Sequence, residues 1–195
     1  SKLTFFWNRD MFKELMNFSG WSLFGGLASV FRNQGINVLL NIFFGPIVNA
    51  ARGIAFQVSN TINQFLLNFY KAVQPQITKN YAAEEYQNMM SLVFRSSRFS
   101  YYLIFILSLP ILIEMPYILK LWLHEIPAYT VLFTRLMLIT ILIESISYPL
   151  MTSIQATGRI KWYQIVVGGL LIINLPISYV FLKIGYQPEI TMYIS

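Results

Sequence analysis

Arg32 stands near the middle of an apolar stretch, in the run Arg32-Asn33-Gln34. A guanidinium at the centre of a membrane helix costs about 2.5–3.5 kcal/mol on insertion scales, so it must face a partner, a wet cavity or an anionic ligand. Two readings follow. Arg32 pairs with a carboxylate of another helix, Glu114 or Glu144, or it faces a hydrated cavity and the anion that enters it. Asn33, Asn37 and Asn41 recur at four-residue steps, which places them on one helical face. Further on, Gln57, Asn60, Gln64, Asn68 and Lys71 recur at steps of three, four, four and three and trace a single stripe. Asn63 lies beside that stripe and Arg52 lies off it. Amides facing lipid would be unsatisfied. Interhelical hydrogen bonds are worth only about 0.6 kcal/mol each in a bilayer. So many amides exceed what helix pairing needs, and the stripe reads as the wall of a hydrated cavity. Amides with one or two arginines offer donors and acceptors to hydroxyl-rich or phosphate-bearing ligands.

Two carboxylates fall inside apolar runs. Glu114 precedes Pro116 by two residues, and Glu144 precedes Tyr148 by four. Each has two readings, as carrier of a coupling proton or as structural partner of an arginine. Arg135 lies closer to a membrane surface and reads as a snorkelling side chain. No constellation supports catalysis. The chain has no Cys and one His, His124, so thiol chemistry, disulfides and a His-rich metal site are excluded. No Ser stands beside a base in a recognisable frame. The expectation is a protein that is not an enzyme and uses no metal and no cofactor.

The elements that carry these residues follow from composition. Of 195 residues, 56% are apolar and only 11% are charged, against about 25% charged in soluble domains. With a mean hydropathy of +0.55, these values exclude a soluble domain, a disordered chain and a coiled coil. An all-α integral membrane protein remains, a polytopic helical bundle. A hydrocarbon core of about 30 Å takes roughly 20 apolar residues per helix. Spans are expected at residues 20–44, 49–73, 99–123, 128–154 and 162–182, with a sixth starting at 190. Residues 1–18 form an amphipathic interfacial segment, with Phe5, Phe12, Leu15 and Met16 on one face. Gly45-Pro46 and Gln187-Pro188 are turns, residues 74–98 a polar loop, and Gly158 to Lys161 a short basic loop. Pro110 and Pro116 are expected to kink the third span. Gly25-Gly26, Gly168-Gly169 and Ala50-Ala51 allow close helix approach. Trp7, Trp21, Trp122 and Trp162 fall near interfaces, as belt residues do. The chain opens on Ser1 and ends within an apolar stretch, which reads as a fragment of a longer protein.

The net charge of +6 does not point to nucleic acid, because basic residues gather in cytoplasmic loops of membrane proteins. Lys2, Arg9, Lys13, Lys71, Lys79, Arg95, Arg98, Arg159 and Lys161 fall on one side, and only Lys120 and Lys183 on the other. The basic side is cytoplasmic, so the chain starts in the cytoplasm.

The run Asn41 to Tyr81, NIFFGPIVNAARGIAFQVSNTINQFLLNFYKAVQPQITKNY, resembles bacterial polysaccharide flippases of the MATE-like exporter superfamily. The Phe44-Gly45 turn, Asn49-Ala50-Ala51-Arg52 and Gln57 carry the likeness. Ser147 to Arg159, SYPLMTSIQATGR, continues it with its short basic turn. The resemblance covers about residues 17–185. It implies two helical bundles around a central cavity, of which this chain is the second and an absent N-terminal bundle the first. It implies a carrier in the bacterial inner membrane that flips an undecaprenyl-diphosphate-linked oligosaccharide by alternating access, for O-antigen or other cell-surface polysaccharide. A cation-coupled multidrug exporter of the same fold is the alternative. Under this resemblance Arg32 meets the diphosphate or the sugar, and the amide stripes line its passage. Partners are then the lipid-linked substrate, the bilayer and the first bundle, with no nucleic acid.

Overall fold

The computed structural model describes residues 8–194. Lys2, Phe5 and Trp7, which open the expected interfacial segment, lie outside them. The described residues form helices and no strand: α1 (Arg9–Phe44), α2 (Pro46–Ala82), α3 (Tyr86–Ile113), α4 (Met115–Trp122), α5 (Thr130–Ala156), α6 (Lys161–Ile184) and the short α7 (Ile190–Tyr193). Among them α3, α5 and α6 are long and apolar enough to cross a membrane. The amide runs and Arg32 make α1 and α2 more polar.

Local chemistry sets the helix ends. The Asn8 side chain accepts hydrogen bonds from the backbone N–H groups of Asp10 at 2.9 Å and Met11 at 3.2 Å, as an N-cap should. Asp10 adds a negative charge in the first turn. Gly45, at φ +80°, separates α1 from α2, and Pro46 opens α2 at a position where its missing N–H costs nothing. α1 and α2 therefore form a hairpin joined by one residue.

Two expectations are corrected. The polar stretch at 74–98 is not a loop. α2 runs through Pro75 to Ala82 and α3 begins at Tyr86. At 1.5 Å per residue, the 37-residue α2 is about 55 Å long, well beyond a 30 Å core. Its polar end is helix as well. The third span does not simply kink at its prolines. Pro110 lies inside α3, whereas the helix breaks at Glu114 and Pro116 starts α4. Pro116 clashes with the turn before it, so the break falls just upstream of the ring. α1 runs through residue 18 without interruption.

α2 packs against α1, α3 and α5, while α6 packs on α1. One apolar cluster joins Ile62, Leu66 and Tyr70 of α2 to Ile104, Met115, Leu119, Leu138 and Ile141. A second joins Ile36 and Leu40 of α1 to Val48, Ala51, Ala55 and Phe133. Small residues bring α1 and α6 together. A Cβ on Gly168 would stand 2.6 Å from the Phe24 ring, and one on Gly25 would strike the Gln164 side chain at 2.0 Å. Of each expected glycine pair only one member makes the close approach, because Gly26 and Gly169 face open space. Gly35, against Leu175, supplies the third such contact.

Pro149 lies within α5 and has no N–H to offer the carbonyl of Ser145. That carbonyl is met from α2, where the Tyr70 hydroxyl donates to it at 3.0 Å. The next carbonyl, of Ile146, accepts from the Ser97 hydroxyl of α3 at 2.9 Å. Two neighbouring helices thus repair the ladder at the proline. Tyr70→Phe is expected to destabilise the protein by about 1–3 kcal/mol, the cost of a bare buried acceptor. In a Pro149→Ala background the loss shrinks, because α5 supplies its own donor. A double-mutant cycle by thermal unfolding of the full chain in detergent checks this, and equal losses in both backgrounds would sink it.

Candidate functional site

A polar cleft of about 290 Å³ opens between α1, α2 and α5. α1 contributes Ser29, Arg32 and Asn33. α2 contributes Arg52, Phe56, Ser59, Asn60 and Asn63. α5 contributes Thr140, Glu144 and Tyr148, and Met192 of α7 closes one edge. The α1–α2 hairpin sets the register. Ala51 and Ala55 seat α2 against Ile36 and Leu40 of α1, which carries the neighbouring Arg52 to the cleft.

Arg52 is the most deeply held charge there, at 6% exposure. Its Nη1 donates to Oδ1 of Asn37 on α1, while its Nε is buried without a hydrogen-bond partner. Asn37 in turn donates to the Gln34 side chain at 3.4 Å. Arg32 points a guanidinium nitrogen at Oδ1 of Asn33, at 3.5 Å. Arg32 lies close enough to Glu144 for attraction between their charges and close enough to Arg52 for repulsion. The described lining thus carries two guanidiniums against one carboxylate, an excess of one positive charge. The Oδ1 atoms of Asn49 and Asn63 are also buried without partners. Such a site can accept an anion on the arginines and hydroxyl groups on the amides.

The expected residues divide. Arg32, Asn33, Asn60 and Glu144 line the cleft, and Asn37 lies behind it as the partner of Arg52. Asn41, Gln57, Gln64, Asn68 and Lys71 do not line it and are exposed. Glu114 joins α3 to α4, exposed and outside the cleft, so the carboxylate facing Arg32 is Glu144. On α2 the cleft face runs through 52, 56, 59, 60 and 63, and the amide stripe lies roughly 100° further round the helix. Asn60 sits on the edge they share. Arg52, Asn63 and Tyr148 belong to the site although the stripe omitted them. The buried face of α2, with Ala51, Ala55, Ser59 and Ile62 at helical spacing, is the signal that would have found Arg52 and Asn63, since both adjoin it. Among the described residues no group of His, Cys, Asp or Glu is placed to hold a metal ion.

A protein-family model named MatE matches residues 22–180, from α1 into α6. The chain belongs to the MatE family. Its members are MATE-like membrane transporters and not enzymes, and the apolar helices here are those of a multi-pass membrane protein. No curated protein and no solved structure matches the chain.

Whether the cleft admits water is directly testable. The chain has no cysteine of its own, so single cysteines report without background. Asn60→Cys and Asn63→Cys are expected to react with a membrane-impermeant maleimide, because the reactive thiolate needs a hydrated site. Leu66→Cys, in the apolar cluster, is expected to stay protected. Protection of both cleft positions in folded protein would mean a dry, paired cleft.

Proposed function

We propose that this MatE chain is one bundle of a transporter that flips an undecaprenyl-diphosphate-linked oligosaccharide across the bacterial cytoplasmic membrane, for cell-surface polysaccharide such as O-antigen. The excess positive charge of the cleft carries this reading. Arg32 and Arg52 suit the diphosphate, and Asn33, Asn60 and Asn63 suit sugar hydroxyls. Weak amide contacts around few cations fit a carrier, which must release its load. In this reading α1 and α2 cross the bilayer with their polar faces on the path. The exposed stripe of Gln57, Gln64, Asn68 and Lys71 then faces the N-terminal bundle of the same protein across the central cavity. The basic ends of α1, α2 and α6 lie in the cytoplasm, as the distribution of Lys and Arg favours. Access alternates between the two sides as the bundles rock.

A multidrug exporter of the same fold is supported by one feature, Glu144, a carboxylate beside Tyr148 and Phe56 that suits an aromatic cation. Native mass spectrometry of the full-length protein from its own membranes separates the two. A polyprenyl diphosphate saccharide is expected to co-purify. Its retention is expected to fall about 10–100-fold in Arg52→Gln, as loss of a charged hydrogen bond implies. Binding of cationic drugs with no saccharide lipid, and loss of that binding in Glu144→Gln, would carry the exporter reading instead.

A further inference from the structure

A second, larger cavity lies away from the cleft, at the basic end of the bundle. It measures about 710 Å³ and is bounded by the start of α1, by Tyr81 near the end of α2, and by the turn from α5 to α6. Arg159 and Lys161 are its cations and Glu14 is its carboxylate, so the charged side chains sum to one positive charge. The turn that carries the cations is fixed locally. Gly158 takes φ +70°, and the Thr157 hydroxyl accepts the Arg159 N–H at 3.1 Å while donating to the Ile154 carbonyl at 2.7 Å. Lys161 Nζ stands 5.7 Å from the Trp21 ring centre and 5.8 Å from that of Trp162, within cation–π range of both.

The cavity does not end there. It shares Asn17 and Trp21 with a groove that reaches Phe24. That groove shares Phe24 with an apolar furrow, bounded by Leu27 and Ile172, that reaches Phe31. From Trp21 to Phe31 is about 15 Å along α1, half of a 30 Å hydrocarbon core. This is the reach of an acyl chain within one leaflet. A cationic mouth bearing tryptophans, opening into an apolar furrow of that length, matches a charged headgroup with its tail.

We infer that the α1–α6 face holds an anionic glycerophospholipid of the membrane, its phosphodiester on Arg159 and Lys161 and an acyl chain along Trp21, Phe24 and Phe31. The net charge of the mouth balances one phosphodiester and favours a singly charged headgroup over a zwitterionic one. The site is separate from the polar cleft and does not depend on what the cleft transports.

The test is tryptophan quenching in the full chain reconstituted in vesicles. Phosphatidylglycerol with brominated acyl chains is compared with phosphatidylcholine carrying the same chains. The brominated anionic lipid is expected to quench preferentially. The preference is expected to fall about fivefold for each cation removed in Arg159→Gln and Lys161→Gln, and to persist in the charge-conserving Lys161→Arg. Lys79→Gln/Arg95→Gln, altered at the same end but off the cavity, is expected to keep it. Should the double Gln variant fail to reconstitute, Glu14→Gln tests the opposite sign, with the preference rising. Four results overturn the inference. Equal quenching by both lipids means another occupant covers the face. An equal loss in the Lys79/Arg95 variant means diffuse surface charge. Loss of the preference on adding inorganic phosphate means a free anion site. No rise in Glu14→Gln means the mouth charge is irrelevant.

Discussion

Backbone polar groups in a bilayer have no water to turn to, so each must find a partner within the protein. That constraint organises this bundle at Pro149. The proline leaves the Ser145 carbonyl bare in the middle of α5, and the repair has to come from another helix. Tyr70 supplies it from α2, and Ser97 does the same from α3 for the next carbonyl. The repair fixes more than two hydrogen bonds. With its hydroxyl held, the Tyr70 ring stands 4.9 Å from that of Tyr148, and Tyr148 is a wall of the cleft. A proline that weakens one helix thereby docks three helices in a defined register and places an aromatic side chain at the site. Other buried hydroxyls, such as those of Ser108 and Thr134, bond back to their own helix and tie no second helix to it.

The cleft faces the opposite problem, charge without enough countercharge. Arg32 and Glu144 attract each other, whereas among the described residues the charged neighbour of Arg52 is Arg32 and its hydrogen-bond partner is Asn37. An arginine held by an amide has its charge uncompensated and keeps donors for a third party. Had a second carboxylate stood there, the site would be neutral and dry, and pairing alone would explain it. That imbalance of one charge is what the proposed function rests on.

Much of this was legible in the sequence because membrane helices announce themselves by apolar length, and their turns by Gly45-Pro46, Gly158 and Gln187-Pro188. The polar end of α2 was not legible. A polar helix lacks the apolar pattern that marks a span, so Gln74 to Lys79 resembled a loop. The break at Glu114 was displaced from the proline that causes it. At the site, Arg32, Asn33, Asn60 and Glu144 stood out because polar residues are expensive in lipid. Arg52 and Asn63 did not, because which face of α2 turns inward is set by Ala51, Ala55 and the α1 side chains they meet. That is tertiary information. Counting polar residues found an amide stripe, but the stripe proved to be the flank of the helix and the cleft its neighbouring face.

α1 illustrates how one helix serves two solvents. Arg32, Asn33 and Asn37 turn to the cleft and to Arg52, whereas Phe24, Leu27 and Phe31 turn outward into the apolar furrow. The two faces could not coexist if α1 were free to rotate. Gly25, Gly35 and Gly168 prevent this, because each admits a bulky side chain of the partner helix where a Cβ would collide. Shape, not hydrophobicity, does this in a membrane, since lipid tails are as apolar as the side chains they would replace. The orientation of Arg32 toward the cleft and of Phe31 toward the furrow thus rests on glycines that carry no chemistry of their own.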